Sequence, residues 1–334
     1  MKQVGCSEPG DFGKGTLRYV LITPARNEAA FIELTLKSVT LQTVKPLKWV
    51  IVSDGSTDGT DEIVCRYVAT NPWIELLRMP ERKERHFAGK VGAFNAGYAR
   101  VKELEFDLVG NLDADISFEA DFFSFLLDKF AANPRLGLGG TAFTEGKQRY
   151  DYRFTSVEHV SGQCQIFKRE CFEEIGGYVP QKGGGIDVVV VLKARMKGWE
   201  TRTYPQKTFV HHRQMGTAKY GAVMAKFKDG EKDYALGAHP LWEIFRWVYQ
   251  MKNPPYLVGG CALLAGYFIS MIRRRERSVS RELMNFRRCE QMTRLCRFPA
   301  KFGRRRISED KTCAHMVPAV SGCGNEHGTS AKNS

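Results

Sequence analysis

From residue 18 onward the chain alternates short, unbroken apolar runs with longer segments whose apolar residues recur every three or four positions. Unbroken runs of this length read as strands buried on both faces, and the longer period reads as helices packed against them. The pattern predicts strands at 19–23, 49–53, 74–78 and 108–111, and helices at 28–41, 58–70, 92–101 and 119–131. Such alternation belongs to an α/β domain with a mostly parallel sheet. In open sheets of this class ligands sit beyond the carboxyl ends of the strands, so the polar residues that follow each strand are where chemistry is expected.

A second stretch predicts a strand at 163–167, a helix at 169–175 stopped by Gly176-Gly177, and a Gly-rich loop at 183–185. Across 187–197 the run Val188 to Val191 favours a strand. Lys193, Arg195 and Lys197 ahead of Gly198 mark a helix C-terminus, and helix is the reading adopted. Strands at 201–204 and 208–212 follow. Beyond residue 240, Trp242, Phe245, Trp247 and Tyr249 precede Asn253-Pro254-Pro255 and an uncharged stretch from Tyr256 to Ile272. As a helix this stretch would be about 25 Å long against a hydrocarbon core of about 30 Å, which is short for a membrane span. The expected organisation is a flexible N-terminus (1–17), a catalytic domain (18–235, with halves 18–118 and 119–235), a helical apolar and basic region (236–306) and a disordered tail (307–334).

Composition narrows the class. With 43% hydrophobic and 26% charged residues among 334, the chain is neither a disordered polyelectrolyte nor a polytopic membrane protein. Its net charge of +13 is concentrated: residues 273–306 carry thirteen Lys or Arg against three acids, which leaves only a mild excess elsewhere. That segment adjoins the apolar helix, so the anionic partner it suggests is a membrane surface. A single crossing at 256–272 would put the basic segment opposite the catalytic domain, against the tendency of Lys and Arg to stay cytosolic, so an interfacial attachment is expected. Nucleic acid is not an expected partner, because it would explain the charge but not the acidic motifs described next.

The nine cysteines are odd in number and scattered without CxxC spacing, which suggests reduced thiols. Cys313, His315, Cys323 and His327 lack the spacing of a closed zinc site and read as part of the tail. The first fifteen residues lack an apolar signal core. The expected location is therefore the cytoplasmic face of the cell membrane.

Four polar clusters follow strands. Thr23-Pro24-Ala25-Arg26-Asn27-Glu28 offers a proline-fixed strand exit and side chains able to bind a ring or cap a helix. Asp54, at the end of the second strand, is placed to accept an N–H from a base, and Asp58 to cap a helix. Lys90, among small residues at a helix start, is a candidate phosphate contact, although no Walker loop is present. Asp113 and Asp115, in Leu112-Asp113-Ala114-Asp115, are hard oxygen ligands one residue apart, suited to Mg2+ or Mn2+ whose other ligands would be water and a diphosphate.

In their order and spacing these clusters resemble the family 2 glycosyltransferases of GT-A fold, over roughly residues 18–215. The resemblance implies a Rossmann-like nucleotide-binding half followed by an acceptor half. It implies that Pro24, Asn27, Glu28 and Asp54 frame the nucleoside, with Lys90 near the base or phosphates, Asp113 near the ribose and Asp115 on the metal. Gly162 and Gln163, before a helix ending Gly176-Gly177-Tyr178, resemble the family's acceptor segment. Asp187 matches the catalytic acid of a Glu-Asp pair, although Ile186 stands where the family has Glu. His211, with His212 beside it, resembles a late histidine near the metal. Gln291 to Leu295 is a departure from the family's QxxRW, because it lacks the Trp.

The function implied is metal-assisted, inverting transfer of a sugar from a nucleotide-diphosphate sugar, a UDP-sugar foremost, to a glycan or lipid-linked acceptor with Asp187 as base. The alternatives are a catalytically silent sugar-nucleotide or glycan-binding scaffold and, less favoured, a basic nucleic-acid-binding protein.

Overall fold

A computed structural model describes residues 17–81, 87–146, 148–149, 156–181, 184–213, 221–251 and 255–303. The expectations for residues 1–16 and 304–334, including the zinc-spacing residues, lie outside them. The elements run β1 (Tyr19–Ala25), α1 (Ile32–Thr40), β2 (Lys48–Asp54), α2 (Thr60–Val68), β3 (Ile74–Met79), α3 (Phe87–Val101), β4 (Leu108–Leu112), β5 (Ile116–Ser117), α4 (Phe122–Ala132), β6 (Leu136–Glu145), β7 (Gln148–Arg149), β8 (Cys164–Lys168), α5 (Arg169–Glu174), α6 (Ile186–Met196), β9 (Glu200–His211), α7 (Ala222–Ala235), α8 (Pro240–Gln250), α9 (Tyr256–Ile272) and α10 (Arg281–Gly303). The chain divides into two units, residues 1–294 and 295–334, the second containing the last turns of α10 among its described residues.

The sheet order is β3-β2-β1-β4-β8-β6-β9-β5, with β7 paired to β6. β3, β2, β1 and β4 are mutually parallel, and β6 and β9 are parallel to each other. β8 runs antiparallel to both β4 and β6, and β5 is antiparallel to β9. The expectation of a mostly parallel sheet is thus corrected to a mixed one. After β4 the chain makes a long excursion through α4 and β6 before β8 returns antiparallel between β4 and β6. A direct βαβ crossover would have kept the strands parallel.

Alternation along the parallel strands sorts the core into two layers. Tyr19, Leu21, Trp49 and Ile51 face α1, α2 and α4, whereas Val20, Ile22, Val50 and Val52 face α3, α5 and α6. All eight are essentially inaccessible. Burial of an aliphatic side chain of this kind contributes about 1.5–3 kcal/mol. The buried Trp49 also donates its indole N–H to Thr23 Oγ1 at 2.9 Å, which satisfies the one polar atom it brings inside.

The first four strands fall where the apolar runs put them, and α6 is a helix as read. α3 begins five residues before its expected start, and the two strands expected at 201–212 are one strand, β9, irregular where it passes Thr141 and Ala142 of β6. β6 and α7 were not anticipated. β6 carries glycines at 137, 139 and 140 and so reads as loop, yet a Cβ at Gly140 would fall 2.6 Å from Val160 and 2.8 Å from the Cys164 carbonyl. α7 is rich in charge with Gly230 near its middle. It is a helix because it packs on α9, where a Cβ at Gly230 or Gly266 would enter the backbone of the facing helix. Leu236 and Leu283 then pack on Val189 and Leu192, so the C-terminal helices support α6 from behind. Among the described residues no helix is long and apolar enough to cross a membrane.

Candidate active site

The carboxyl ends of β1, β2 and β4 deliver the sequence-predicted residues to one edge of the sheet. Pro24 lies inside β1, which continues to Ala25. Its missing N–H is tolerated because pairing with β4 ends at Ile22. Asn27 adopts φ 55°, and its side-chain oxygen accepts from the Thr57 N–H at 2.9 Å while its own N–H donates to Ser56 Oγ at 3.2 Å. Asn27 therefore braces the loop after β1 against the loop after β2. The Glu28 N–H donates to Thr60 Oγ1 (2.9 Å) and the Ala29 N–H to Asp58 (3.0 Å), which extends that brace. Asp54, buried at the end of β2, lies 3.9 Å from the Arg26 guanidinium.

The sharper cluster forms after β4. The Asp113 N–H donates to the Gln163 carbonyl at 2.8 Å, and Asn111 Nδ2 donates to the Gly162 carbonyl at 2.8 Å. These bonds extend the β4–β8 pairing and set Gly162 and Gln163 beside the acidic loop. Lys90 Nζ, from α3, donates to Asp113 Oδ1 at 2.5 Å. Burial opposes the Lys90 charge, but Asp113, with Asp187 and Asp115 adding to the field, raises its ammonium above the ordinary value. One lysine thus lies in the field of all three aspartates.

Asp115 faces β9. His211 Nε2 lies 3.4 Å from Asp115 Oδ2, and His211 Nδ1 lies 3.3 Å from Glu145 Oε2 at the end of β6. Burial works against both charges, yet the mutual attraction prevails: Asp115 is held below its ordinary range by His211 and Arg213, and His211 is raised by Asp115 and Glu145. A carboxylate on one ring nitrogen that leaves the other aimed at a ligand position is the usual support of a metal-binding histidine. Among the described residues no group of three or more His, Cys, Asp or Glu side chains is arranged to hold an ion. A divalent cation here would take Asp115 and His211 from the protein and complete its shell from water and a diphosphate, and that donor set fits Mg2+ or Mn2+. Arg213 joins the two edges, since it donates to Glu28 and lies 3.5 Å from Asp115.

Asp187 sits in the first turn of α6, where the helix dipole favours negative charge. A Cβ built on Gly162 would lie 2.9 Å from Asp187 Cβ and 3.3 Å from its Oδ2. Only glycine at position 162 lets the carboxylate approach this segment so closely. His159 shares this corner: burial holds its imidazole below the ordinary value, while Asp187 pulls the other way.

The structure therefore gathers Lys90, Asp113, Asp115, His211, Gly162, Gln163 and Asp187, with Glu28 linked to them through Arg213. Pro24, Asn27 and Asp54 form the adjoining edge. Glu145, His159 and Arg213 were not singled out by the sequence. Glu145 ends a strand as Asp54 does, but that strand, β6, reads as loop in the sequence, so its position gave no signal.

A family model described as glycosyl transferase family 2 matches residues 20–180. Poly-beta-1,6-N-acetyl-D-glucosamine synthase from Staphylococcus aureus (strain COL) is 24% identical over 199 residues, covering 54% of this chain and 46% of the relative. Its Staphylococcus epidermidis counterpart is 24% identical over 204 residues with the same coverage. The chain thus spans about half the length of the curated relatives it matches. A solved mannosyltransferase from Pyrobaculum calidifontis, in complex with GDP-Man and Mn2+, superposes with a TM-score of 0.51 at 18% identity over 89% of this chain and 86% of that one. That likeness shows a shared fold.

Proposed function

We propose, from the match of residues 20–180 to the family model described as glycosyl transferase family 2, that the chain transfers a sugar from a nucleotide-diphosphate donor to an acceptor hydroxyl with inversion at the anomeric carbon. The observation that carries this reading is the meeting of two acidic sets at one corner: Asp113, bonded to Lys90 and to the Gln163 carbonyl, with Asp115 after β4, and Asp187 at the start of α6 packed against Gly162. One set suits a metal-bound diphosphate, and the other suits a hydroxyl being deprotonated. A UDP-activated hexose or N-acetylhexosamine is the proposed donor. The curated relatives are synthases of an N-acetylglucosamine polymer, which supports an amino sugar and a glycan or lipid-linked acceptor.

Asp187 accepts the proton of the acceptor hydroxyl as its oxygen bonds to the anomeric carbon. On the opposite face the bond from that carbon to the diphosphate oxygen breaks, and the nucleoside diphosphate leaves with the electron pair. One displacement without an enzyme nucleophile inverts the centre once. A positioned base contributes typically about 10²- to 10⁴-fold. Asp115 and His211 would hold Mg2+ or Mn2+, which supplies neutralisation of the charge growing on the leaving diphosphate. Lys90 adds a fixed positive charge beside Asp113. Glu28, Asn27, Pro24 and Asp54 are proposed to border the nucleoside, and Gly162 and Gln163 the acceptor.

We also propose attachment to the cytoplasmic face of the cell membrane, monotopic or peripheral, through the helices beyond residue 235. The test of transfer is a panel of nucleotide sugars assayed for metal-dependent release of nucleoside diphosphate. Asp115→Ala is expected to lose metal-dependent nucleotide binding, and Asp187→Asn to keep donor binding and lose turnover. Full turnover by Asp187→Asn removes the base assignment.

A further inference from the structure

Helix α8 is amphipathic in the sense opposite to that of a helix facing water. Leu241, Ile244 and Val248, spaced as one stripe, are 52%, 41% and 47% exposed, whereas Glu243 is 0% exposed. Neither Glu243 carboxylate oxygen has a hydrogen-bond partner. Arg246, 3.6 Å from it, is turned inward as well, onto Asp233, which also receives Arg287 at 2.9 Å. Both halves of this arrangement are unfavourable in water, since aliphatic surface is left exposed and a carboxyl is left dry without a hydrogen bond.

The first turn of α9 continues the exposed apolar surface, with Tyr256, Leu257 and Val258 60%, 56% and 58% exposed. The two helices form a hairpin, in which Trp247 lies against Gly260 and the Tyr267 hydroxyl donates to the Ala238 carbonyl. α9 carries no charge along its length and ends in exposed Arg273 and Arg274, beyond the level at which α8 begins. Half-buried Trp242 and Tyr249 flank the stripe, each with an apolar body and a polar tip.

We infer that the outward stripe of α8 and the first turn of α9 lie in the headgroup–acyl boundary of an anionic lipid surface, with Arg273 and Arg274 on the lipid phosphates. An apolar, uncharged face bounded by arginines and amphipathic aromatics complements that boundary, which has hydrocarbon inside and negative charge outside. This deepens the membrane-attached reading above and rests on it; the sugar-transfer chemistry does not depend on it.

The test is co-sedimentation of the full chain with phosphatidylcholine vesicles, with and without phosphatidylserine. The wild type is expected to sediment with the anionic vesicles. Ile244→Glu with Val248→Glu is expected to lower partitioning on the order of 100-fold, and Leu41→Glu, on a distant exposed leucine, to leave it unchanged. Tryptophan quenching by brominated acyl chains checks the same contact without any substitution. A wild type that stays in the supernatant, or a double variant that binds as well as wild type, overturns the inference. So does a wild-type dimer that the double variant converts to monomer, since a second copy would then cover the face. Nucleoside diphosphate release from a soluble donor, measured on the same samples, separates the two readings: intact release without vesicle binding sinks only the lipid surface, and vesicle binding without release sinks only the transferase.

Discussion

Substituting Gly162 by alanine probes the proposed acceptor side of the site with a single methyl group. The added Cβ would stand 2.9 Å from Asp187 Cβ and 3.3 Å from both Asp187 Cγ and Oδ2. Non-bonded carbons settle at about 3.5–4.0 Å, so one partner must retreat by roughly 0.6 Å. Gly162 is poorly placed to do so, because its carbonyl accepts from Asn111 and the next carbonyl accepts from the Asp113 N–H. Behind α6, Val189 and Leu192 are packed against Leu236 and Leu283, which blocks withdrawal of the whole helix. The Asp187 carboxylate must therefore turn or shift within the site.

Catalytic groups tolerate about 0.5 Å of displacement, and about 1 Å costs on the order of 100-fold. Gly162→Ala is accordingly expected to lower kcat by roughly 10- to 100-fold and to leave donor affinity within about twofold, while Asp187→Asn loses more, up to about 10⁴-fold. Adding Gly162→Ala to Asp187→Asn should cost little further, because both act on one proton transfer. Steady-state nucleoside diphosphate release and calorimetric donor binding, with a thermal melt to show that the variant is folded, measure this. Wild-type kcat in a folded Gly162→Ala protein, or lost donor affinity with unchanged kcat, would refute the placement of the base against the acceptor segment.

Three further outcomes are expected. Glu145→Gln weakens the support of His211 and should lower Mn2+ affinity about 10- to 100-fold, measured by paramagnetic titration of free Mn2+ with nucleoside diphosphate present; unchanged affinity would show that Glu145 does not act through the histidine. Burial pushes the Glu243 carboxyl up to about 7 from 4.5, against the pull of Arg287 and with help from Asp229. The native state therefore holds the proton more tightly, so the associated stability is present below about pH 4.5 and is lost, by about 3 kcal/mol, as pH rises through 7. Glu243→Gln should flatten that slope in denaturant titrations at pH 5 and pH 8, and parallel profiles for the two proteins would contradict it. Gly230→Ala should destabilise by about 1–3 kcal/mol or more, because its Cβ enters the Leu263 backbone, whereas Gly92→Ala, with open space around it, should not; equal melting temperatures would mean that α7 and α9 do not pack this closely.

What the sequence disclosed follows from how each element is stabilised. β1, β2 and β4 are buried on both faces, so nearly every position is apolar and the strands announce themselves, while the edge strand β3 is legible from Ile74, Leu76 and Leu77. α9 is bounded by a proline before it and arginines after it, and its limits coincide with the uncharged run. β6 and α7 are specified by neighbours far away in the chain. The glycines of β6 make room for Val160 and Cys164, and Gly230 of α7 makes room for α9, so local propensity argues against both elements. The site divides in the same way. Asp54, Asp113 and Asp115 follow strands that the pattern reveals, and so were found, whereas Glu145 follows β6 and was hidden with it. Arg213 and His159 carry no local signature, because their role comes from facing Asp115 and Asp187 across the fold.

The excess of positive charge takes on a different meaning once its partners are known. In sequence, residues 273–306 read as a basic strip beside an apolar helix. In the structure Arg275 meets Glu231, Arg277 donates to the Tyr234 carbonyl at 2.7 Å, Arg287 pairs with buried Asp233, Arg288 reaches the Gly237 carbonyl and Arg294 meets Glu158. Arg195 of α6 also pairs with Glu290 of α10 at 2.7 Å. Much of the strip is therefore spent in joining α10 and the segment before it to α7, and Glu290 joins α10 to α6. Charges held in this way are unavailable to a lipid surface, so membrane adhesion would have to come chiefly from apolar contact and only secondarily from Arg273 and Arg274. The same ion pairs give the C-terminal helices a second consequence, which is to fix the axis of α6. The proposed base, Asp187, would need a supporting helix that drifts by less than about half an ångström, and the Arg195–Glu290 pair ties that helix to α10.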